Sequence, residues 1–163
     1  MTGRLAIRPI ADADRLWVTS RVVELWGEDR MVNRGKTHIV SALPGFIAAV
    51  DGDVAGLLTY HLDGAACEVV TLNSWREGAG VGSALIDAAV EAARAVGCTR
   101  VWLLTTNDNL HALRFYQRRG FRLAALYPDA LSEARRTKPS IPVTGHHGIP
   151  IRDEIELEMP LIA

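Results

Sequence analysis

Apolar and polar positions repeat along this chain with two periods, one close to two residues and one close to 3.6. Residues 4–10 (RLAIRPI) alternate apolar with basic side chains, as a half-buried strand does, and Pro9 suits a sheet edge. In ADADRLWVTSRVVELWG, Asp12 or Asp14 can cap a helix. Its apolar stripe runs through Leu16, Val18, Val22, Val23, Leu25 and Trp26 and stops at Gly27. Residues 28–45 are polar and irregular, with room for a short helix. Two apolar runs follow, 46–50 and 54–62, separated by Asp-Gly-Asp. Asp-Gly tolerates positive φ, so the pair reads as a hairpin. Asp-Gly-Ala at 63–65 repeats the device and leads into a third run, 67–72, which predicts a three-strand meander.

Beyond the meander, Leu85, Ala88, Ala92 and Val96 recur at helical spacing, and Gly97 is placed to end that helix. Residues 101–104 (VWLL) read as a buried strand. Asn107 or Asp108 can cap a further helix that Gly120 ends, and 121–126 read as another strand. Residues 127–153 are rich in Pro, Gly and charge and read mainly as a long loop, while 154–161 alternate strictly and read as a last strand. Helices interleaved with a meander and later strands predict an α/β chain with a mixed sheet. With 163 residues, one domain spanning 1–163 is expected.

Composition narrows the functional classes. Hydrophobic residues make up 48% and charged ones 23%, an ordinary globular balance. The net charge of −1, from 18 basic and 19 acidic residues, gives no overall bias towards nucleic acid. The charged N-terminal stretch is no signal peptide, and no apolar run is long enough to span a membrane, so a cytoplasmic protein is expected. The two cysteines, Cys67 and Cys98, make no disulfide framework. No His, Cys and carboxylate grouping has metal-ligand spacing, and no metal is expected.

The candidate chemistry lies in SWREGAGVGSAL. Gly78, Gly80 and Gly82 fall within five residues, between a strand and a helix. Unsatisfied amides and the helix dipole at such a point attract an anion, and glycine lets a phosphate come close. A P-loop would need Gly-Lys-Ser/Thr, but Ser83 follows Gly82 with no lysine. A dinucleotide fingerprint would need one more glycine and an early place in a parallel sheet.

The loop resembles the acetyl-CoA loop of the GCN5-related N-acetyltransferase (GNAT) superfamily, Gln/Arg-x-x-Gly-x-Gly/Ala, which falls here on Glu77-Gly78-Ala79-Gly80-Val81-Gly82. TTNDNLHALRFYQRRGF supplies the family's second pattern through Asn109, Ala112, Tyr116 and Gly120-Phe121. The likeness covers roughly residues 47–126, and the segment before the last strand looks like the tail of one bacterial subgroup. Glu77 departs from the family's Gln or Arg, and Arg76 beside it is placed to supply the missing charge.

The resemblance implies a mostly antiparallel sheet with helices on both faces and a splay between two central parallel strands. It implies acetyl-CoA as co-substrate, with its pyrophosphate on Glu77, Gly78, Ala79, Gly80, Val81, Gly82 and Ser83, its pantetheine arm on the backbone of Val70 and Leu72, and Asn109 at the second motif. It implies direct transfer to a primary amine of a small molecule or peptide, with Tyr116 as proton donor to the leaving thiolate. Glu68 is the leading base, His146, His147 or water being rivals. With simple alternation Glu68, Val70 and Leu72 share one face of their strand. A non-catalytic acyl-CoA-binding or sensor domain is the alternative, another acyl donor such as succinyl-CoA fits the loop equally well, and a homodimer is allowed.

Overall fold

The computed structural model describes residues 3–161. It divides into two compact units, one running up to Thr99 and one from Arg100 onward. Within each unit the strand pairings are antiparallel, and among the described residues four α-helices accompany the strands, a mixed α/β chain with a mostly antiparallel sheet.

In the first unit, β1 (Leu5–Pro9), β4 (Gly45–Val50), β5 (Asp53–Asp63) and β6 (Ala66–Ser74) lie side by side in that order. Both β4–β5 and β5–β6 are the hairpins that the Asp-Gly pairs predict. Helices α1 (Arg15–Trp26) and α2 (Val81–Ala95) cover opposite faces, as adjacent residues of β5 demonstrate. Leu57 packs with Ile47, Val18, Val22 and Val40 on the α1 side. Gly56 lies under Val81 and Leu85 of α2. The side-chain period of a strand is two, so neighbours in sequence serve opposite layers.

The helix stripes differ in detail from the periodic reading. On α1 the buried residues are Val18 and Val22, whereas Leu16 is 85% exposed. Asp14 does not cap the helix, because its carboxylate accepts from Ala11 N–H and pairs with Arg8. On α2 the buried stripe is Val81, Leu85, Ile86, Ala89, Val90 and Ala93, and Val96 faces solvent. Gly97 has φ +81°, as a helix-ending glycine does.

Residues 28–45 are not irregular. They form a second, two-stranded sheet, β2 (Arg30–Asn33) with β3 (Lys36–Ile39), then a 3-10 turn at Val40–Ala42. The connection is a two-residue turn in which Arg34 and Gly35 both have positive φ, 50° and 80°, the backbone of a tight hairpin.

In the second unit, β9 (Glu154–Pro160) lies between β7 (Arg100–Thr106) and β8 (Arg122–Tyr127). Helix α3 (Leu110–Arg118) is capped by Asn109, whose side-chain oxygen accepts from Ala112 N–H at 3.2 Å. The stretch 127–153 holds a helix, α4 (Ala130–Thr137), and a 3-10 turn at His146–Gly148. Buried Asp108 anchors it, accepting from His146 N–H at 3.0 Å. Asn107 also holds it, accepting from the amides of Arg152 and Asp153.

Candidate functional site

The glycine loop of the first unit joins β6 to α2. Gly78 and Gly80 sit in the left-handed region at φ +74° and +73°, where side chains are strained. A Cβ at either would meet nothing within 4 Å, so glycine is needed there for conformation and not for room. Gly82 lies inside α2. No side chain caps this helix, and its first turn closes with Ala84 N–H on Gly80 O. The amides of Val81, Gly82 and Ser83 therefore have no intrahelical acceptor. Uncapped donors, the positive end of the dipole and open space above two glycines suit a phosphate group. Glu77 and Arg76 are both exposed to solvent.

Strand β6 carries a bulge that changes which residues share a face. Tyr60 lies opposite Val69 and Thr59 opposite Thr71, so Val70 is the extra residue. Glu68, opposite His61, therefore shares a face with Thr59 and Thr71, whose hydroxyls are 2.6 Å apart. Val70 packs against the α1-side cluster and so remains on Glu68's face. Leu72 lies opposite Leu58 and is turned to the α2 side, so the expected common face of Glu68, Val70 and Leu72 breaks at Leu72.

Glu68 is 2% exposed, and a carboxylate so buried needs hydrogen-bond donors. Two come from the β2–β3 hairpin. Asn33 Nδ2 donates to Oε2 at 2.9 Å, and His38 Nε2 lies 3.3 Å from Oε1. His38 is itself buried, and its ring packs on that of His61 at 4.8 Å between centroids. The tilted pair links the hairpin to β5. Neither Asn33 nor His38 is among the residues that sequence reasoning selects. The signal that was there is Arg-Gly between Met-Val-Asn and Lys-Thr-His, a two-residue turn with flanking alternation.

Cys67, next to Glu68, is buried with its thiol pushed up to about 12, first by burial and then by Cys98 and Glu68. It stays a thiol near neutrality and is no nucleophile there.

In the second unit Tyr116 is buried on α3, with its ring edge-on to both Phe115 and Phe121. Burial raises its phenol above the ordinary tyrosine value, so it keeps its proton. His111, His146 and His147 are exposed, and His147 has φ +59°.

Comparison with known proteins agrees with this arrangement. The chain matches the acetyltransferase (GNAT) family over residues 11–121. It is 39% identical over 152 residues to the uncharacterised protein YdhI of Bacillus subtilis strain 168, covering 93% of this chain and 95% of that one. Among solved structures it resembles a Bacillus subtilis acetyltransferase in complex with CoA, with TM-score 0.70 and 20% identity, covering 98% of this chain and 100% of that chain. It also resembles a GNAT family acetyltransferase from Elizabethkingia anophelis with acetyl-CoA bound, with TM-score 0.72 and 18% identity, covering 96% and 98%. The extent of the family match and the near full-length relative establish that this chain belongs to the acetyltransferase (GNAT) family.

Proposed function

We propose that the chain transfers the acetyl group of acetyl-CoA directly to an amine. The observation that carries this reading is a buried carboxylate, Glu68, on the strand that runs into an uncapped helix start with two left-handed glycines. The amides of Val81, Gly82 and Ser83 hold the pyrophosphate, and Gly78, Ala79 and Gly80 shape the approach to them. The backbone of Val70 and Leu72 takes the pantetheine arm as an added strand would. When bound, acetyl-CoA supplies a thioester with an electrophilic carbonyl carbon.

The residues of this chain manage the protons. An alkylamine has a pKa of about 10 and must lose a proton before it attacks, and Glu68 accepts it. The leaving thiolate, with a pKa of roughly 8.5, is a weaker base than the Tyr116 phenolate, so Tyr116 acts by donating a hydrogen bond, with solvent completing the protonation. Cys67 takes no acetyl group.

The test is thiol release from acetyl-CoA with a panel of primary amines, amino acids and short peptides. Release that depends on one acceptor class supports the reading. Tight acetyl-CoA binding without acceptor-dependent release would instead identify a non-catalytic sensor.

A further inference from the structure

On the α1 side of the first unit, two buried polar atoms have no hydrogen-bond partner among the described residues. They are Arg21 Nε, on α1, and Asn73 Oδ1, near the end of β6. A donor and an acceptor orphaned in this way cost the fold stability. From this pair we propose that Arg21 and Asn73 bind a carboxylate handle on the acceptor. The Arg21 guanidinium takes the carboxylate, and Asn73 Oδ1 accepts from the N–H beside it. The proposal rests on the acetyl-transfer reading and gives it an acceptor class: an amine that carries a free carboxylate at about the distance of a short peptide.

The guanidinium is held mainly by aromatic faces. Its carbon lies 4.5 Å from the Trp75 ring centroid and 5.7 Å from that of Trp17, which precedes it by one helical turn on α1. The two indoles meet edge to face at 6.4 Å, and both pack against the cluster around Val18 and Val22. Nη1 donates to Glu24 Oε2 at 3.2 Å, but the Glu24 side chain is 66% exposed and such a surface pair holds little. The edge formed by Nε and Nη2 matches the two oxygens of a carboxylate. Arg21 keeps 33% of its side chain exposed, so the stack is open to solvent on one side.

Asn73 lies opposite Leu57, which belongs to the α1-side cluster, so its amide faces the same layer. Trp75 N–H continues the pairing by donating to Ala55 O at 2.8 Å, which makes Asn73 and Trp75 neighbours on that layer. The donor's pyrophosphate is assigned to the amides at the start of α2, the helix on the opposite layer. An anion on Arg21 therefore comes from the second substrate. The strand sets its length. Asn73 is three positions beyond Val70, roughly 10 Å at ~3.3 Å per residue. A tripeptide spans about that distance between its amine and its carboxylate. Two sources share this chemistry: a short peptide with a free C-terminus, acetylated at its N-terminus, and a long-chain diamino acid, acetylated on its side chain. The peptide matches the length better.

The experiment compares acceptors that differ only in the carboxylate. Thiol release from acetyl-CoA is measured with triglycine against triglycinamide, and with lysine against lysinamide. In wild type the acid of the preferred pair should exceed its amide in kcat/KM by roughly tenfold to a hundredfold, mainly through KM. Arg21→Lys keeps a positive charge but loses the fork. It should erase that preference by raising the KM of the acid alone. A preference in the triglycine pair supports the handle with a peptide source, and one in the lysine pair supports it with a diamino acid. Equal use of acid and amide in both pairs overturns the proposal. So does a tenfold loss of acetyl-CoA affinity in Arg21→Lys, measured by calorimetry, because Arg21 would then serve the donor's phosphates.

A second arm needs no turnover. The Arg21 Nε–H resonance, identified by its loss in Arg21→Lys, is followed by NMR as N-acetylglycine or N-acetylglycinamide is added. A saturable shift with the acid alone supports the carboxylate site, and an unmoved resonance overturns it. Wild type that acetylates no amine sinks the acetyl-transfer reading, while this resonance still decides whether Arg21 binds a carboxylate.

Discussion

Replacing Gly56 by alanine should damage donor binding from beneath the glycine loop, without touching the loop. Gly56 lies on β5 directly under the first turns of α2. A Cβ built there would lie 2.5 Å from Val81 Cγ1, 2.9 Å from Asn73 O and 2.9 Å from Leu85 Cδ1. Val81 and Leu85 are anchored on α2, and the Asn73 carbonyl belongs to the backbone of β6, so none of the three is a loose side-chain end. Overpacking of this kind costs about 1–3 kcal/mol. For a chain of this length that corresponds to a fall in Tm of roughly 2–12 °C. The main relief is to lift the start of α2, which carries the amides of Val81, Gly82 and Ser83. Acetyl-CoA affinity, measured by calorimetry well below the new Tm, should therefore weaken along with stability. The reasoning fails if thermal unfolding shifts by less than about one degree, or if stability falls while affinity stays at the wild-type value.

Gly80→Asp should abolish calorimetric acetyl-CoA binding, since it strains a φ of +73° and sets a carboxylate at the helix start, and undiminished affinity in a folded variant would sink the cradle. Tyr116→Phe should lower kcat by about tenfold or more with KM little changed, and unimpaired turnover removes its donor role. Asp108→Ala should expose the stretch around residues 143–149 to limited proteolysis, because buried Asp108 anchors His146 N–H, and an unchanged cleavage pattern argues against that anchor. Cys67 makes stability pH-dependent on the alkaline side. Its folded pKa is raised to about 12 from an unfolded value of 9.0. Its contribution is thus complete below pH 9 and declines as pH rises to 12. Urea midpoints of wild type and Cys67→Ala should draw together across that window, and parallel curves would refute the linkage.

How much of this was legible in the sequence depends on the range of the interactions. The Asp-Gly hairpins and Gly97 are written locally, because their backbone demands concern adjacent residues, and the structure has them as read. The Leu16 position on α1 misled, since periodicity reports that an apolar residue repeats and not that another element arrives to cover it. Residues 28–45 were hidden for a related reason. Their strands are four residues each and mostly polar, so alternation is weak there, and only the Arg34–Gly35 turn marks them. His38 could not be selected because its partner, Glu68, lies 30 residues further on. The break between Glu68 and Leu72 had no local marker, since Val70 is an ordinary strand residue and the extra length becomes visible only against β5.

That extra residue has a consequence for how the chain tolerates changes of length. Strand β6 behaves as two half-strands of opposite phase, one presenting Glu68 towards the α1 layer and the other sending Leu72 towards α2. Deleting Val70 would restore a single phase. With the loop end held in place, Glu68 would rotate to the other layer, away from Asn33 and His38, with every functional side chain still in the chain. One residue of length here would therefore remove the carboxylate from its partners as surely as a substitution, and the count of residues between Glu68 and Gly80 matters to the candidate site as much as their identities.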